Sequence, residues 1–372
     1  MDEKVVMITG GAGIVGGYAT EYLARIPGLD RIVVSDLKED LGRTVVNNAI
    51  IGSAVSDIYP RIEFRKLNLM SEDETKALLD EVRPRVIIHV GTLLSSFYYQ
   101  PLIKKKLASL GLRSHLAAHT FAKDFVLIYR LMKAVKAVNK DIRVVNVSFP
   151  DNTHPVLAKL GLTPTVGAGT IDLTVQGIRR AVAERLSVPM SNISVSMVAH
   201  HAIRVYPAGE VPYYLRIRLF DRDITDKFNL NELIDASNKI TGIGARDNAP
   251  MTAASAVKNA ITILNDVGVL THAPGVGDMP GGVPVRLSAK GAEVILPDDL
   301  TMDEARAINE QGMRKDGIER IEQDGTIVFT QQVVKLLREA LGMNWERVRV
   351  DEAERMAQEL IAAYKKLEKE TK

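Results

Sequence analysis

Cysteine is absent from this chain of 372 residues. That excludes disulfides, thiolate nucleophiles and Cys-ligated metals, and it suits a reducing compartment. A charge excess is missing too: 48 basic residues face 46 acidic ones, a net charge of +2, so no global field points to nucleic acid or a membrane surface. The one basic run, Lys104-Lys105-Lys106, reads as a solvated face. No apolar stretch approaches the roughly 20 residues a membrane span needs, and Asp2 and Glu3 stand where a signal peptide would carry basic residues. A cytoplasmic protein is expected, with no membrane partner and no nucleic-acid partner. Internal repeats and low-complexity linkers are lacking as well. What remains is ordinary globular composition, 46% hydrophobic and 25% charged, in a chain long enough for two packed domains or one large one.

The most informative segment lies near the start. Lys4-Val5-Val6-Met7-Ile8-Thr9 is an apolar strand, Gly10-Gly11-Ala12-Gly13-Ile14-Val15-Gly16 follows it, and a second strand, Ile32-Val33-Val34, ends at Ser35-Asp36. Strand, spaced glycines, helix and acid together form a dinucleotide fingerprint. Gly11 permits a tight turn, Gly13 admits the pyrophosphate to the backbone, and Gly16 lets the helix pack on the strand, with the phosphates at a positive helix N-terminus. Asp36 is placed to accept hydrogen bonds from the adenosine ribose and would repel a 2′-phosphate. NAD is thus favoured over NADP, with Lys38 and Arg43 nearby keeping NADP open.

From residue 4 to about 148 short strands alternate with helical patterns, as a parallel sheet requires: strands near 4–10, 31–37, 61–69, 86–91 and 142–148. Ser71-Glu72-Asp73-Glu74 starts a helix with a capping box. A long connection, 92–141, separates the last two strands and is helical over about 116–138. After 150 the pattern is α+β, with helices near 172–187 and 250–265, strands near 193–200 and 213–219, and two more strands around Lys290-Gly291. Asp324-Gly325 marks a later hairpin. Three parts are expected: a nucleotide-binding domain over 1–150, a substrate domain over 151–317, and an appended hairpin with helices over 318–372, packing on the second domain or on a partner subunit.

Several segments fall in a familiar order. Val144 to Pro150 is a strand closed by a proline; Gly169-Thr170-Ile171-Asp172 opens a helix ending in Ala183-Glu184-Arg185-Leu186; Ile193 to Ala202 is a strand running into His200-His201; Ser255 to Leu264 is a long helix, followed by Val283-Pro284-Val285 and Gly291. Over about residues 4–312 this order resembles the lactate/malate dehydrogenase superfamily. The resemblance implies an α/β fold, an N-terminal Rossmann-type parallel sheet followed by an α+β lactate/malate dehydrogenase-like C-terminal domain, with NAD as cofactor, a small anionic substrate, and a homodimer or homotetramer. It implies that His201 is the catalytic histidine and Arg113 the loop arginine. Asp172 is its carboxylate partner if a one-residue insertion follows it; otherwise Thr174 holds that position. The cofactor would lie along Gly10, Gly11, Gly13, Ile14, Val15, Gly16, Asp36, Leu37, Gly91, Thr92, Val147 and Ser148. The departures are that Phe149 replaces the family's Asn before the proline, Gly177 replaces its carboxylate-gripping Arg, and Thr120 replaces an Asn, with His119 one residue out of register.

Hydride transfer from an alcohol carbon needs a base for the hydroxyl proton, and an imidazole titrating near neutrality serves both directions. His201 fits that role with His200 as substitute, although two strand-end histidines with satisfied hydrogen bonds would look the same. Arg113 would clamp a carboxylate or be a solvated loop arginine. With Gly177 at the second arginine's position, Arg179 and Arg180, Arg204, or Lys104 to Lys106 could replace it. The expected reaction interconverts a hydroxy acid and its keto form, on a substrate bulkier than lactate or malate. Three alternatives stand beside it. An NAD-binding sensor or structural homologue would have lost the chemistry. An extended short-chain dehydrogenase or epimerase would use Tyr129-x-x-x-Lys133, but Tyr129 precedes the strand 142–148 where that family has it follow. An NAD- and metal-dependent glycosidase would need a Cys; the only His pair at metal spacing is His115 with His119, and no metal is expected.

Overall fold

The computed structural model describes residues 3–111, 116–138, 141–240 and 246–371. Its first sheet grows from β-branched runs too apolar to leave either face in water. β1 (Val5–Thr9), β2 (Arg31–Asp36), β3 (Ile62–Lys66), β4 (Val86–His89), β5 (Arg143–Asn146) and a two-residue β6 (Val166–Gly167) pair in parallel in the order β3-β2-β1-β4-β5-β6. Side chains alternate across it. Val5, Met7, Val33, Ile87 and Val144 enter one core, and Val6, Ile8, Ile32, Val34, Ile88 and Val145 enter the other. Buried on both faces, such strands need helices on both sides. These are α1 (Ile14–Leu23), α2 (Glu39–Ala54), α3 (Glu72–Val82), α4 (Ser96–Ser109), α5 (Phe121–Val138) and α6 (Pro150–Lys159). Ser71 caps α3, its Oγ accepting from the Glu74 amide at 3.3 Å. The strand order reverses between β1 and β4, which opens the crevice where ligands of doubly wound sheets bind.

The rest of the chain is α+β. Next come α7 (Thr170–Leu186), β7 (Ile193–Ala199), β8 (Tyr213–Leu219), β9 (Arg222–Asp223), α8 (Leu230–Ile240), α9 (Ala249–Leu264), β10 (Val269–Val276), β11 (Met279–Ser288), β12 (Gly291–Val294) and α10 (Met302–Asp316). An antiparallel sheet runs β10-β11-β7-β8-β9, with β12 on β11. Strand β10 and helices α4 and α10 lie outside the sequence expectation. In α4, Pro101 and the Lys triplet hide a helix whose buried face is only Tyr99, Ile103 and Leu107.

The last segment forms β13 (Ile318–Ile321), β14 (Ile327–Phe329), α11 (Gln331–Leu341), β15 (Arg347–Val348) and α12 (Ala353–Thr371), with the expected turn at Asp324-Gly325 between its first two strands. It packs on the first domain, and at Val156, Leu157 and Met313 on the start and end of the second. Leu336, Leu337, Met356, Leu360, Tyr364 and Leu367 share a core with Leu107, Phe121, Phe125 and Leu131 of the first. The α12 helix lies on α5 and α4, where Tyr98 donates to Glu368 at 2.7 Å and Arg130 pairs with Glu354. Among the described residues no helix is long and apolar enough to cross a membrane.

Candidate functional site

The turn after β1 is built so tightly that side chains are excluded. Gly10 has φ +81°, and a Cβ there would meet Gly91 Cα at 2.7 Å. A Cβ on Gly11 would strike Val34 at 2.4 Å, and one on Gly16 would meet Gly11 Cα at 2.6 Å. The backbone thus approaches the helix start with nothing over it, as a pyrophosphate cradle requires. Asp36 ends β2 beside this turn: the Ala12 amide donates to its Oδ2 at 3.1 Å and the Lys38 amide to its Oδ1 at 2.9 Å. Those two bonds fix the carboxylate and leave lone pairs on both oxygens.

From here a single cavity of about 960 Å³ runs across the sheet's C-terminal edge. Gly10, Gly13, Ile14, Val15, Gly16, Asp36 and Leu37 line one end; Gly91, Thr92, Val147 and Ser148 line its floor. Of the expected cofactor residues only Gly11 is not on its wall, its place being against Val34. The far end holds Phe149, Asp151, His201 and Arg204.

His201 opens a 3₁₀ turn, His201–Arg204, directly after β7. Its side chain is 25% exposed and its Nδ1 lies 3.1 Å from Oδ2 of Asp316, which is fully buried at the C-terminus of α10. Asp151, in the first turn of α6, accepts from the His201 amide at 3.0 Å. Burial alone would lower the His201 pKa, but the Asp316 charge and hydrogen bond, with Asp151, hold it above its ordinary value. Asp316 shows the reciprocal balance. Burial pushes its pKa up, and the two histidines with the Asn152 amide bring it below the usual carboxylate value. A buried carboxylate at a helix C-terminus also faces the negative end of the macrodipole, so an imidazolium is its natural partner. With Nδ1 engaged, Nε2 is the nitrogen left to exchange a proton. The Phe149 ring meets the imidazole edge-on at 5.6 Å. Phe149 itself sits at φ +50°, a conformation that costs a residue with a Cβ on the order of 1–2 kcal/mol.

His200 cannot substitute. It is fully buried, its Nδ1 accepts from the Ala202 amide at 3.3 Å, and its Nε2 lies 3.1 Å from Asn152 Oδ1. Burial lowers its pKa, so it is a neutral structural histidine.

Asp172 also departs from expectation. It lies in the first turn of α7, where it accepts from Ser255 Oγ at 2.7 Å and Lys258 Nζ at 2.6 Å. Thr174 donates back to the Thr170 carbonyl. Neither is the partner of His201; Asp316 is. Lys258 of α9 reaches Asp172, and it is Thr170 and Leu173 of α7 that face the cavity. Gly177 is likewise no vacancy in the pocket, because a Cβ there would meet Ser237 Oγ of α8 at 2.2 Å. Arg113 and His115 lie outside the described residues. His119 is engaged by the Leu116 carbonyl and, at 2.6 Å, by the Tyr364 hydroxyl. Tyr129 stacks on Phe125 and Lys133 pairs with Glu72, and neither lines the cavity.

Asp316, Asp151 and the Lys123–Asp124 pair were not singled out by sequence. Asp151 had a local signal, since it follows the strand-closing Phe149-Pro150. Lys123 is buried, with its Nζ 2.6 Å from Asp124 Oδ1 and 3.2 Å from Thr92 Oγ1.

Comparison with known proteins agrees with this layout. A sequence model described as the NAD dependent epimerase/dehydratase family matches residues 6–99. A malate dehydrogenase of Halobacterium salinarum is 28% identical over 145 residues, 36% of this chain and 45% of that protein; the match spans under half of the relative's length. Among solved structures, a lactate dehydrogenase from Eimeria maxima with NADH and oxamate superposes with TM-score 0.59 at 15% identity, covering 84% of this chain and 91% of that one. The malate dehydrogenase of Cryptosporidium parvum gives 0.59 at 17% identity, over 85% and 98% of the two chains.

Proposed function

We propose that this chain, which carries the lactate/malate dehydrogenase fold, is an NAD-dependent oxidoreductase that interconverts a hydroxy acid and its keto form, acting on a substrate other than lactate or malate. One observation carries the reading: His201, backed by buried Asp316, opens into the same cavity as the glycine cradle and Asp36. NAD(H) is what those lining residues fit, and when bound it supplies the hydride acceptor or donor. The turn at Gly13 would take its pyrophosphate, with Gly10 and Gly16 keeping that turn close to the sheet, and Asp36 its adenosine ribose. Arg43 is held by Glu39 at 2.8 Å, which leaves Asp36 to govern the choice of NAD over NADP.

The chain's own part is proton handling. Asp316 accepts the Nδ1 proton of His201, fixes that tautomer and stabilises the imidazolium. Nε2 takes the hydroxyl proton in oxidation and returns it in reduction. Phe149 and Leu173 dry the pocket and strengthen every charge interaction in it. The Tyr129/Lys133 chemistry of epimerase-like enzymes finds no support, both residues being engaged away from the cavity.

A homodimer or homotetramer belongs to the same reading. Exposed Leu41 and Ile51 on α2 and Val55 just past its end offer a surface for a second copy, which sedimentation would detect. The test of function is NADH oxidation with a panel of keto acids of increasing length. Turnover of the longer acids, with poor rates on pyruvate and oxaloacetate, is expected. Robust rates on those two would overturn the substrate assignment, and no rate with any acid would favour a non-catalytic NAD-binding protein.

A further inference from the structure

The likeness in sequence runs to about residue 312, and Asp316, the partner of His201, lies just beyond it. The carboxylate therefore stands where α10 ends and the appended segment begins. What holds it there is the next residue. Gly317 closes α10 in the left-handed region, at φ +112°, and its amide returns to the Met313 and Arg314 carbonyls at 3.1 Å each. Its carbonyl accepts at 2.9 Å from the amide of Thr330, the residue before α11. A Cβ at this position would meet Val333 Cγ2 of α11 at 2.3 Å and Ala118 Cβ at 3.1 Å. Ala118 belongs to the first domain, in the turn Ala117–Thr120, whose end residues Ala117 and Thr120 line the cavity. The backbone next to Asp316 is thus seated against both the appended segment and the first domain.

That seat is stiff. Val333 is fully buried, and a helical valine has one strongly preferred side-chain rotamer. Helix α11 packs on the turn Ala117–Thr120, and its Leu336 and Leu337 enter the core that holds Phe121 and Phe125. The tolerance at the imidazole is small. The bond from Asp316 to His201 is 3.1 Å long, and a side-chain hydrogen bond no longer exists at about 3.6 Å, so a retreat of about 0.5 Å by the carboxylate abolishes it. Carbon atoms sit about 3.5 Å apart at closest comfort. A methyl on Gly317, at 2.3 Å from Val333, would therefore need about 1 Å of movement, which exceeds that tolerance. The titratable and charged groups that act on His201 are Asp316 from α10, Asp151 from α6, and His200 and Arg204 from its own stretch of chain. Of these, Asp316 is the one that adjoins the appended segment.

We propose that Gly317 and Val333 are positioning residues for proton exchange at His201, and that the segment beginning at Ile318 is part of the active site because it holds Asp316 within hydrogen-bond reach of the imidazole. This rests on the oxidoreductase reading above, but the first readout needs no turnover. The full-length protein is prepared unmodified and as Gly317→Ala, Val333→Ala, the double variant, and Leu360→Ala, a truncation in the same core on α12. Titration of the His201 ring is followed by NMR in the presence of NADH, its signal identified by its loss in His201→Asn; kcat, KM, NADH affinity and melting temperature are measured alongside. In Gly317→Ala the His201 pKa should fall, with kcat for keto-acid reduction at neutral pH down by about tenfold or more and NADH affinity unchanged. Val333→Ala, which only thins the wall, should lower the pKa less. In the double variant the added methyl finds room, so the pKa should return part of the way although the fold is no more stable. Leu360→Ala should melt earlier with His201 titrating as in the unmodified protein. If Gly317→Ala does not fold, a shift in Val333→Ala against none in Leu360→Ala decides in favour. An unchanged His201 titration in the folded Gly317 and Val333 variants, or an equal shift in Leu360→Ala, would overturn the positioning role alone. The expected shifts with no turnover by the unmodified protein would overturn the oxidoreductase reading instead.

Discussion

Replacing Asp316 by Asn removes one charge and almost no volume. In the native protein the carboxylate lies 3.1 Å from His201 Nδ1, fully buried, with the Asn152 amide at 3.4 Å on the same oxygen. An amide in its place cannot stabilise the imidazolium, and its NH₂ group can turn toward Nδ1 and select the wrong tautomer. General acid–base catalysis contributes about 10²- to 10⁴-fold, and loss of an orienting carboxylate can cost about 10⁴ in kcat. The expected fall in kcat is therefore about 10²- to 10⁴-fold, or about 3–5 kcal/mol at 1.36 kcal/mol per decade. Cofactor affinity should hardly change, because Asp316 does not line the cavity.

The pH profile gives a readout that misfolding would not imitate. Asp316 holds the His201 pKa above 6.5, so in the unmodified protein keto-acid reduction, which needs the imidazolium, falls off only above that raised pKa. In Asp316→Asn the limb should move to lower pH. Stability follows the same pair. Asp316, lowered in the fold from 3.8, contributes above that value and loses its contribution as pH falls through the folded pKa; His201, raised from 6.5, contributes below that value and loses it as pH rises through its folded pKa. The pair's full contribution lies between 3.8 and 6.5, and Asp316→Asn should erase that component in denaturant titrations. Asp172→Asn is the companion variant: it breaks bonds to Ser255 and Lys258 and should lower stability while keeping the pH limb in place. If Asp172→Asn removes turnover and Asp316→Asn does not, the assignment of the pair is refuted.

Asp36→Ala should erode the preference for NAD over NADP, since a charge-assisted hydrogen bond is worth about 1.5–3 kcal/mol; equal affinities in the unmodified protein, by calorimetry, would contradict it. Gly177→Ala should destabilise the protein, because the new Cβ meets Ser237 Oγ at 2.2 Å, and should leave the ranking of keto acids unchanged. A changed ranking would return Gly177 to the pocket. Tyr364→Phe leaves buried His119 without its 2.6 Å partner and should cost about 1–3 kcal/mol in urea unfolding. No loss would mean that α12 does not brace this part of the first domain.

What could be read from the sequence was local. The glycine turn, Asp36, the strands of the first sheet and the Asp324-Gly325 hairpin each declare themselves within a few residues, because steric limits on a turn or alternation along a strand act at short range. His201 was singled out through the resemblance, which places a histidine where the strand ending at Ala199 gives way to a turn. Its partner was not. Asp316 is 115 residues further along, and nothing near it distinguishes it from Asp303 on the same helix; only the packing of α10 against the turn at His201 brings the two together. Asp172 misled because an acid in the first turn of a helix is favourable by itself, and Lys258, from α9, satisfies it. At Gly177, where the resemblance places an arginine, α7 and α8 close on one another so that a Cβ would meet Ser237, a packing between distant segments that no local pattern announces. The appended segment showed amphipathic helices but not which surface they cover. That surface proved to be α4 and α5, where Tyr98, Tyr99 and Arg130 meet Glu368, Tyr364 and Glu354.

The account stands or falls on His201 as the group that exchanges the substrate's proton in the cofactor's own cavity. Its most direct measurement compares His201→Asn with His200→Asn, recording NADH affinity and single-turnover reduction of an α-keto acid on the same samples. His201→Asn should bind NADH as the unmodified protein does and show no turnover, while His200→Asn, altered only in a buried hydrogen-bond network, should be less stable yet still reduce the acid. Turnover surviving in His201→Asn and lost in His200→Asn would contradict the account.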